Sequence, residues 1–347
     1  MAVSAIILVV VANMSKTQGT VANRTEMHAS IRSATELLQQ EIGQAGRVAS
    51  PASITSPVTL SGAGAACAGY VGTNFLECGD GLAHTLSVSS STGLFPGEIL
   101  MVGPDTGLAC PGATPTFCAS RETIQITGLG ANTITGVWQD PHASGSPVGV
   151  FGVFAAGIVP PYNDASCNVA CKETSWSTAS SATAVTTLTA PGGAYPGSTD
   201  TLLKMFGDIN GDGNMVYVEY ACNQGTPAAP GTFQRRVIPF DTVLAKTTTN
   251  FPWVTLLTNV LTNPNGTPCF AYQTKIKNND TYVINVAVTL TVQTQNVDPQ
   301  TGQYQTETKA LLNVSPRNVY EGYVLSANGE ANRIQPMPQT VVNLLSP

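Results

Sequence analysis

The most constraining feature of this chain is its beginning, where an aliphatic run passes without interruption into an amphipathic, helix-patterned segment, together covering Ala2 to Val48. Ala2 to Ala12 holds one polar residue, Ser4, and Ile6 to Val11 is continuously aliphatic. In a helix this run rises about 16 Å, whereas a hydrocarbon core of ~30 Å needs about 20 apolar residues. The run is too short to span a bilayer by itself. It also lacks the basic leading region and small-residue cleavage site of a secretory signal. The expectation is either a buried or peripheral apolar end, or a sequence that opens inside a longer hydrophobic segment.

From Thr20 to Arg47 there is no proline, and Met27, Ile31, Ala34, Leu38, Ile42 and Ala45 recur at spacings of three and four. That period predicts one apolar side of a helix. Arg24, Glu26, Arg32, Glu36, Gln40 and Gln44 fall largely elsewhere, and Arg32 can meet Glu36 at i,i+4 for about 0.2–0.5 kcal/mol. Gly43 and Gly46 weaken the last turns and Pro51 stops the helix. The plain alternative is an ordinary core helix after a nonspecific apolar start.

Met1-Ala-Val-Ser-Ala-Ile-Ile-Leu-Val-Val10, followed by Ile31-Arg-Ser-Ala-Thr-Glu-Leu-Leu-Gln-Gln-Glu-Ile-Gly-Gln-Ala-Gly-Arg47, resembles the type IV pilin superfamily. The likeness is to its large minor pilins of the PilW type and, more distantly, to J-type minor pseudopilins of type II secretion. The resemblance implies a long helix that packs against other subunits, with an assembly face of Ile6, Leu8, Met27, Ile31, Ala34, Leu38 and Ile42. The processing glycine and the glutamate of that family's N-terminal motif are not in this sequence, so Met1 reads as an internal methionine of the hydrophobic segment.

Charged residues are only 10% of the 347, while Gly supplies 33 and Pro 23, a composition that suits an exported, loop-rich β protein. The formal net charge of −6 argues against a large basic nucleic-acid surface. The eight cysteines, Cys67, Cys78, Cys110, Cys118, Cys167, Cys171, Cys222 and Cys269, sit among Gly, Pro, Ser and Thr and are read as disulfides of an oxidising compartment. Sequential pairing gives three local loops and one longer bridge from Cys222 to Cys269, one connectivity among several. Zinc is disfavoured because Cys167 and Cys171 have no second close Cys/His pair.

Strands are expected at 82–89, 99–102, 122–126, 132–138, 148–154, 215–221, 232–239, 269–273 and 304–314. The clearest lies at 284–292, where Ile284, Val286, Val288, Leu290 and Val292 share one face. Val254 to Leu261 reads as a short helix or buried crossing segment. Arg235 and Arg236 face opposite ways within their strand, one meeting a carboxylate or neighbouring subunit while the other stays solvated. The strands at 215–221 and 232–239, the Leu256-Leu257…Val260 segment and Ala310 to Asn318 also resemble the PilW-type head.

Asp208-Ile-Asn-Gly-Asp-Gly-Asn-Met-Val-Tyr-Val-Glu219 matches a calcium-loop pattern. Asp208, Asn210 and Asp212 offer oxygens from alternate positions, Gly213 permits the turn, Asn214 offers its carbonyl and Glu219 closes the shell. These hard oxygen ligands point to a structural Ca²⁺. No second loop follows, and Glu219 falls on a strand whose alternation competes for it. An ion-free Asp/Asn/Gly turn is the alternative.

The expected class is α+β, a long N-terminal helix on a β-rich antiparallel head with disulfide-stapled loops. Its parts are a stalk at 1–48, a first part of the head at 49–200, a pilin-like β region with the calcium loop at 201–320 and a C-terminal tail at 321–347, docked on a neighbour or loose. No Gly-x-Ser-x-Gly elbow, Walker loop or dinucleotide loop is present, and the three histidines are isolated, so no catalytic residue is assigned. The expected role is a structural minor pilin, in priming, tip assembly or adhesion. Its partners would be other pilin subunits, a tip adhesin or surface ligand, and the inner membrane before assembly, after which it would reside in an extracellular pilus or periplasm-spanning filament. The alternatives are a type II pseudopilin and a secreted, calcium-stabilised binding module.

Overall fold

The computed structural model describes residues 2–49, 54–55, 83–103, 122–137, 147–161, 197–278 and 280–345. Helix α1, Ala2–Gln44, follows the proline-free segment. It ends where Gly46 turns the backbone to φ +82°. A Cβ there would sit 2.9 Å from both the Phe154 carbonyl oxygen and the Val319 side chain, so this termination requires glycine. The last carbonyls of the helix, those of Gln44 and Ala45, accept from Asn318 Nδ2 at 3.1 and 3.3 Å.

The first sheet contains β1 (Ile54–Thr55), β2 (Ala83–Ser87), β3 (Ile99–Val102), β4 (Glu122–Gly130), β5 (Thr133–Val137) and β6 (Pro147–Val150), in the order β1-β6-β3-β4-β5-β2. It is antiparallel and closes its own small core around Leu100, Ile124, Ile126 and Ile134. The short strand β7 (Val153–Phe154) leads out of it.

The main sheet is antiparallel and built from β8 (Leu202–Gly207), β9 (Val216–Asn223), β10 (Gly231–Pro239), β11 (Val254–Leu261), β12 (Phe270–Lys277), β13 (Asp280–Gln293) and β14 (Thr306–Val314). The 14-residue β13 is its spine, pairing β12 along Asp280 to Val288, β11 at Thr291 and Val292, and β14 from Val286 to Gln293. Alternation sorts β9 into two faces. Val218, Tyr220 and Cys222 enter the core under α1, whereas Met215 and Tyr217 enter a second core on the opposite side. Cys222 and Cys269 form a disulfide with Cα atoms 6.4 Å apart. The other six cysteines lie outside the described residues.

Two expectations are corrected and one strand is new. Val254–Leu261 is a strand, bent by two register shifts against β10. Its β-branched Val254, Thr255, Thr258 and Val260 suit an extended backbone better than a helix. The strand at Leu202–Gly207 had no sequence counterpart. The C-terminal segment is not loose: after α2 (Arg317–Ala327) and β15 (Ile334–Gln335), helix α3 (Gln339–Leu345) buries Val341, Val342, Leu344 and Leu345 in the second core. A seven-residue helix is unstable alone, so packing on the sheet supplies its stability.

Candidate functional site

Helix α1 has two unlike parts. Met27, Ile31, Ala34, Leu38 and Ile42 are at most 8% exposed and pack in the main core with Ala45. They are internal to this chain's own head, which corrects their expected place on an assembly face. Leu8, by contrast, is 69% exposed, and Val3, Ile7, Val9, Val10, Val11, Met14 and Val21 are all at least half exposed. Ile6 belongs to α1, but its side chain lies outside the described ones. No helix among the described residues is long and apolar enough to cross a membrane, which corrects the expectation of a membrane-spanning protein.

The two parts meet at a polar collar made by the β13–β14 connection. Asp298 accepts hydrogen bonds from the Thr20 hydroxyl, the Gln300 backbone N–H, the Thr301 hydroxyl and Gln305 Nε2. The Thr20 hydroxyl contributes most to holding this carboxyl down at about 2, followed by the Gln300 N–H. Gln300 Nε2 donates to the Thr17 hydroxyl at 2.9 Å, and Arg24 donates to Gln305. Gly19 lets Pro299 lie close against the helix, since a Cβ would meet the proline ring at 3.2 Å.

Below the collar, α1 is fixed by a buried charge. Glu41 follows Leu38 by three residues and precedes Ala45 by four, so it lies on the buried stripe. Arg235 Nε donates to Glu41 Oε2 at 3.1 Å, its Nη2 donates to Oε1, and the Tyr220 hydroxyl donates to Oε2 at 2.6 Å. Burial, reinforced by the Glu41 carboxylate, pushes the Tyr220 hydroxyl well up.

The neighbouring Arg236 points to the other face, as strand alternation requires, and meets a second buried carboxylate. Its Nε donates to Glu219 Oε2 at 3.0 Å, while Glu219 Oε1 accepts from the Tyr217 hydroxyl at 2.6 Å and from Lys246 Nζ at 3.2 Å. The guanidinium lies 4.4 Å from the Trp253 ring centroid. Neither arginine is the solvated one expected. Burial alone would raise the Glu219 carboxyl, but Lys246, the Tyr217 hydroxyl and Arg236 hold it below its ordinary value. Lys246 and Lys204 also donate to the Leu344 and Leu345 carbonyls, the latter at 2.7 Å, so two cations sit at the C-terminal end of α3. Burial pushes the Lys204 ammonium down to about 8.

This network bears on the calcium loop. Asp208 Oδ1 accepts the backbone N–H groups of Asp212 and Gly213 at 3.1 and 3.3 Å, Asp212 Oδ1 accepts that of Asn214 at 2.9 Å, and Asp208 faces Arg47. Asn210 and Asn214 lie at the exposed tip of this turn. Glu219, however, is spent on Arg236, Lys246 and Tyr217, and no three His, Cys, Asp or Glu side chains converge as a metal shell among the described residues. The shell demanded by the loop pattern lacks its closing bidentate carboxylate, and the residues present do not fit a six-ligand calcium site.

The sequence reading missed Glu41, Tyr220, Lys246 and Asp298. Only Glu41 carried a signal, its position on the apolar stripe. The geometry defines an α+β chain whose long N-terminal helix is clamped to an antiparallel sheet by a buried ion pair. No protein-family model matches the chain, and comparison with curated proteins and with solved structures finds no significant match.

Proposed function

We propose that this chain is a structural subunit that assembles with other subunits through the exposed part of α1 and displays its β-rich head, as the likeness to minor pilins implies. The observation that carries this is the contrast within one helix: apolar and buried below the collar, apolar and exposed above it. Val3, Ile7, Val10, Met14 and Val21 follow the spacing of a coiled-coil seam, with Thr17 filling the remaining position. Leu8, Val9 and Val11 lie off that seam and are also exposed, so one partner helix leaves apolar surface uncovered. A helix apolar on all sides is one surrounded by neighbours.

Lys16 is the single charged residue from Ala2 to Asn23, so parallel copies meet little repulsion. Burying these side chains is worth on the order of 10 kcal/mol per helix, comparable with the ~4–15 kcal/mol cost of association. The Cys222–Cys269 disulfide supports an oxidising compartment for the head.

The test is sedimentation of the full chain with Ile7→Glu and Val10→Glu. The expected result is loss of higher assemblies with an unchanged melting temperature of the head. Assemblies of wild-type size would defeat the proposal.

A further inference from the structure

α1 packs on β14, the last strand of the main sheet, but leaves open space along its outer flank. Two adjoining hollows of about 560 and 380 Å³ share Glu36 and Gln39 and continue one into the other. They run between α1 and β14, from His28 and Glu307 at one end to Asn313 and Arg317 at the other. The helical wall from His28 to Gln44 is about 24 Å long, the reach of roughly seven extended residues.

β14 pairs with β13 alone, and among the described residues no strand lies on its opposite edge. Such an edge presents unpaired backbone N–H and C=O groups. β14 is also irregular beside the groove. Val314 and Leu311 pair with Val286 and Val288, which sets two intervening residues of β14 against one of β13. Within this bulge Asn313 is held at φ +94°, a conformation non-glycine residues rarely adopt.

Charge narrows the occupant. Arg32 is paired with Glu36, and His28 meets Glu307. Lys309 and Arg317 line the same groove with no acidic partner among the described residues. Arg32, Lys309 and Arg317 outnumber Glu36 and Glu307 by one along the groove, so it carries a formal net positive charge beside a free strand edge.

We propose that the α1–β14 groove docks an extended, acidic segment of a partner polypeptide, which adds as a strand to the free edge of β14. Main-chain hydrogen bonds to the edge supply affinity, and alternate side chains of the segment enter the groove, where an acidic one meets Lys309 or Arg317. This site uses neither the exposed part of α1 nor any assembly of copies, so it stands or falls separately from the proposed function.

The probe is a nine-residue, acetylated and amidated peptide of alternating Thr and Val carrying two Glu, added to the full chain and followed by amide hydrogen exchange of 306–313. Alternate β14 amides should gain about tenfold protection. N-methylation of alternate peptide amides should abolish that gain. Lys309→Glu with Arg317→Glu, both at exposed positions, should transfer the preference to a peptide carrying Lys in place of Glu. Unchanged exchange, equal binding of the N-methylated peptide, or indifference of the double variant to peptide charge would each overturn the proposal. So would protection of the β14 edge that rises with protein concentration alone, since a second copy would then be the occupant.

Discussion

The two parts of α1 are built from similar apolar residues and meet opposite fates. From Met27 to Ala45 the apolar positions are confined to one stripe, and the sheet covers that stripe. From Val3 to Val11 they extend to all sides, and nothing in the described residues covers them. Hydrophobicity alone does not separate core from interface; the breadth of the apolar surface and the presence of a matching sheet do.

The largest expected effect tests this contrast directly. Leu38→Glu places an unpaired carboxylate at a fully buried position and should abolish folding, a cost of roughly 5 kcal/mol or more. Ile7→Glu should leave the head's thermal unfolding where it was. Equal destabilisation by both changes would erase the distinction between the two parts.

Next comes the ion pair that sets the position of α1 on the sheet. Glu41→Gln removes the partner of the largely buried Arg235 and should cost about 3–4 kcal/mol in urea unfolding. Adding Arg235→Met should restore most of that loss, because the pair offsets its own desolvation more than it stabilises. If the double variant is as unstable as the single one, the pair is a net stabiliser rather than a positioning device.

A third prediction uses a group remote from α1. Glu98, fully buried in the turn before β3, is pushed up to about 8 by burial, against which the Phe95 N–H acts in the opposite direction. Because its folded value lies above the unfolded one, its contribution is fully present below about pH 4.5 and is lost as pH rises through about 8. Glu98→Gln should therefore raise stability by on the order of 2–3 kcal/mol at pH 8 and little at pH 4. Sedimentation of the assembled state should not follow this change. If it does, assembly depends on the head and not on α1 alone.

The smallest effect belongs to the collar. Asp298 is held below its ordinary value, so its contribution is present above about pH 4 and is lost as pH falls through about 2. Amide exchange at Thr17 to Arg24 should accelerate over that range. Asp298→Ala should produce the same acceleration at neutral pH, and unchanged exchange would mean that the collar does not mark the boundary within α1.

Much of the fold was legible because its signals are local. The stripe from Met27 to Ala45 and the alternation from Ile284 to Val292 each show a period that only one kind of backbone satisfies. The C-terminal helices were not legible, since α3 is too short to announce itself and is held by the sheet and by Lys204 and Lys246. Val254–Leu261 was misread because a short apolar run carries no unambiguous period.

The candidate site divides in the same way. The sequence by itself determined that the first segment is apolar on one side from Met27 to Ala45 and apolar almost throughout from Ala2 to Ala12, and that Arg235 and Arg236 face opposite ways. Only the tertiary structure decided that the lower stripe is internal core, that both arginines meet buried carboxylates, and that Glu219 turns from the Asp208 loop into an ion pair. The reason is physical: periodicity follows from backbone geometry within one element, whereas the partner of a buried charge lies on another. Glu41 and Arg235 are 194 positions apart in sequence, a pairing that no local pattern encodes.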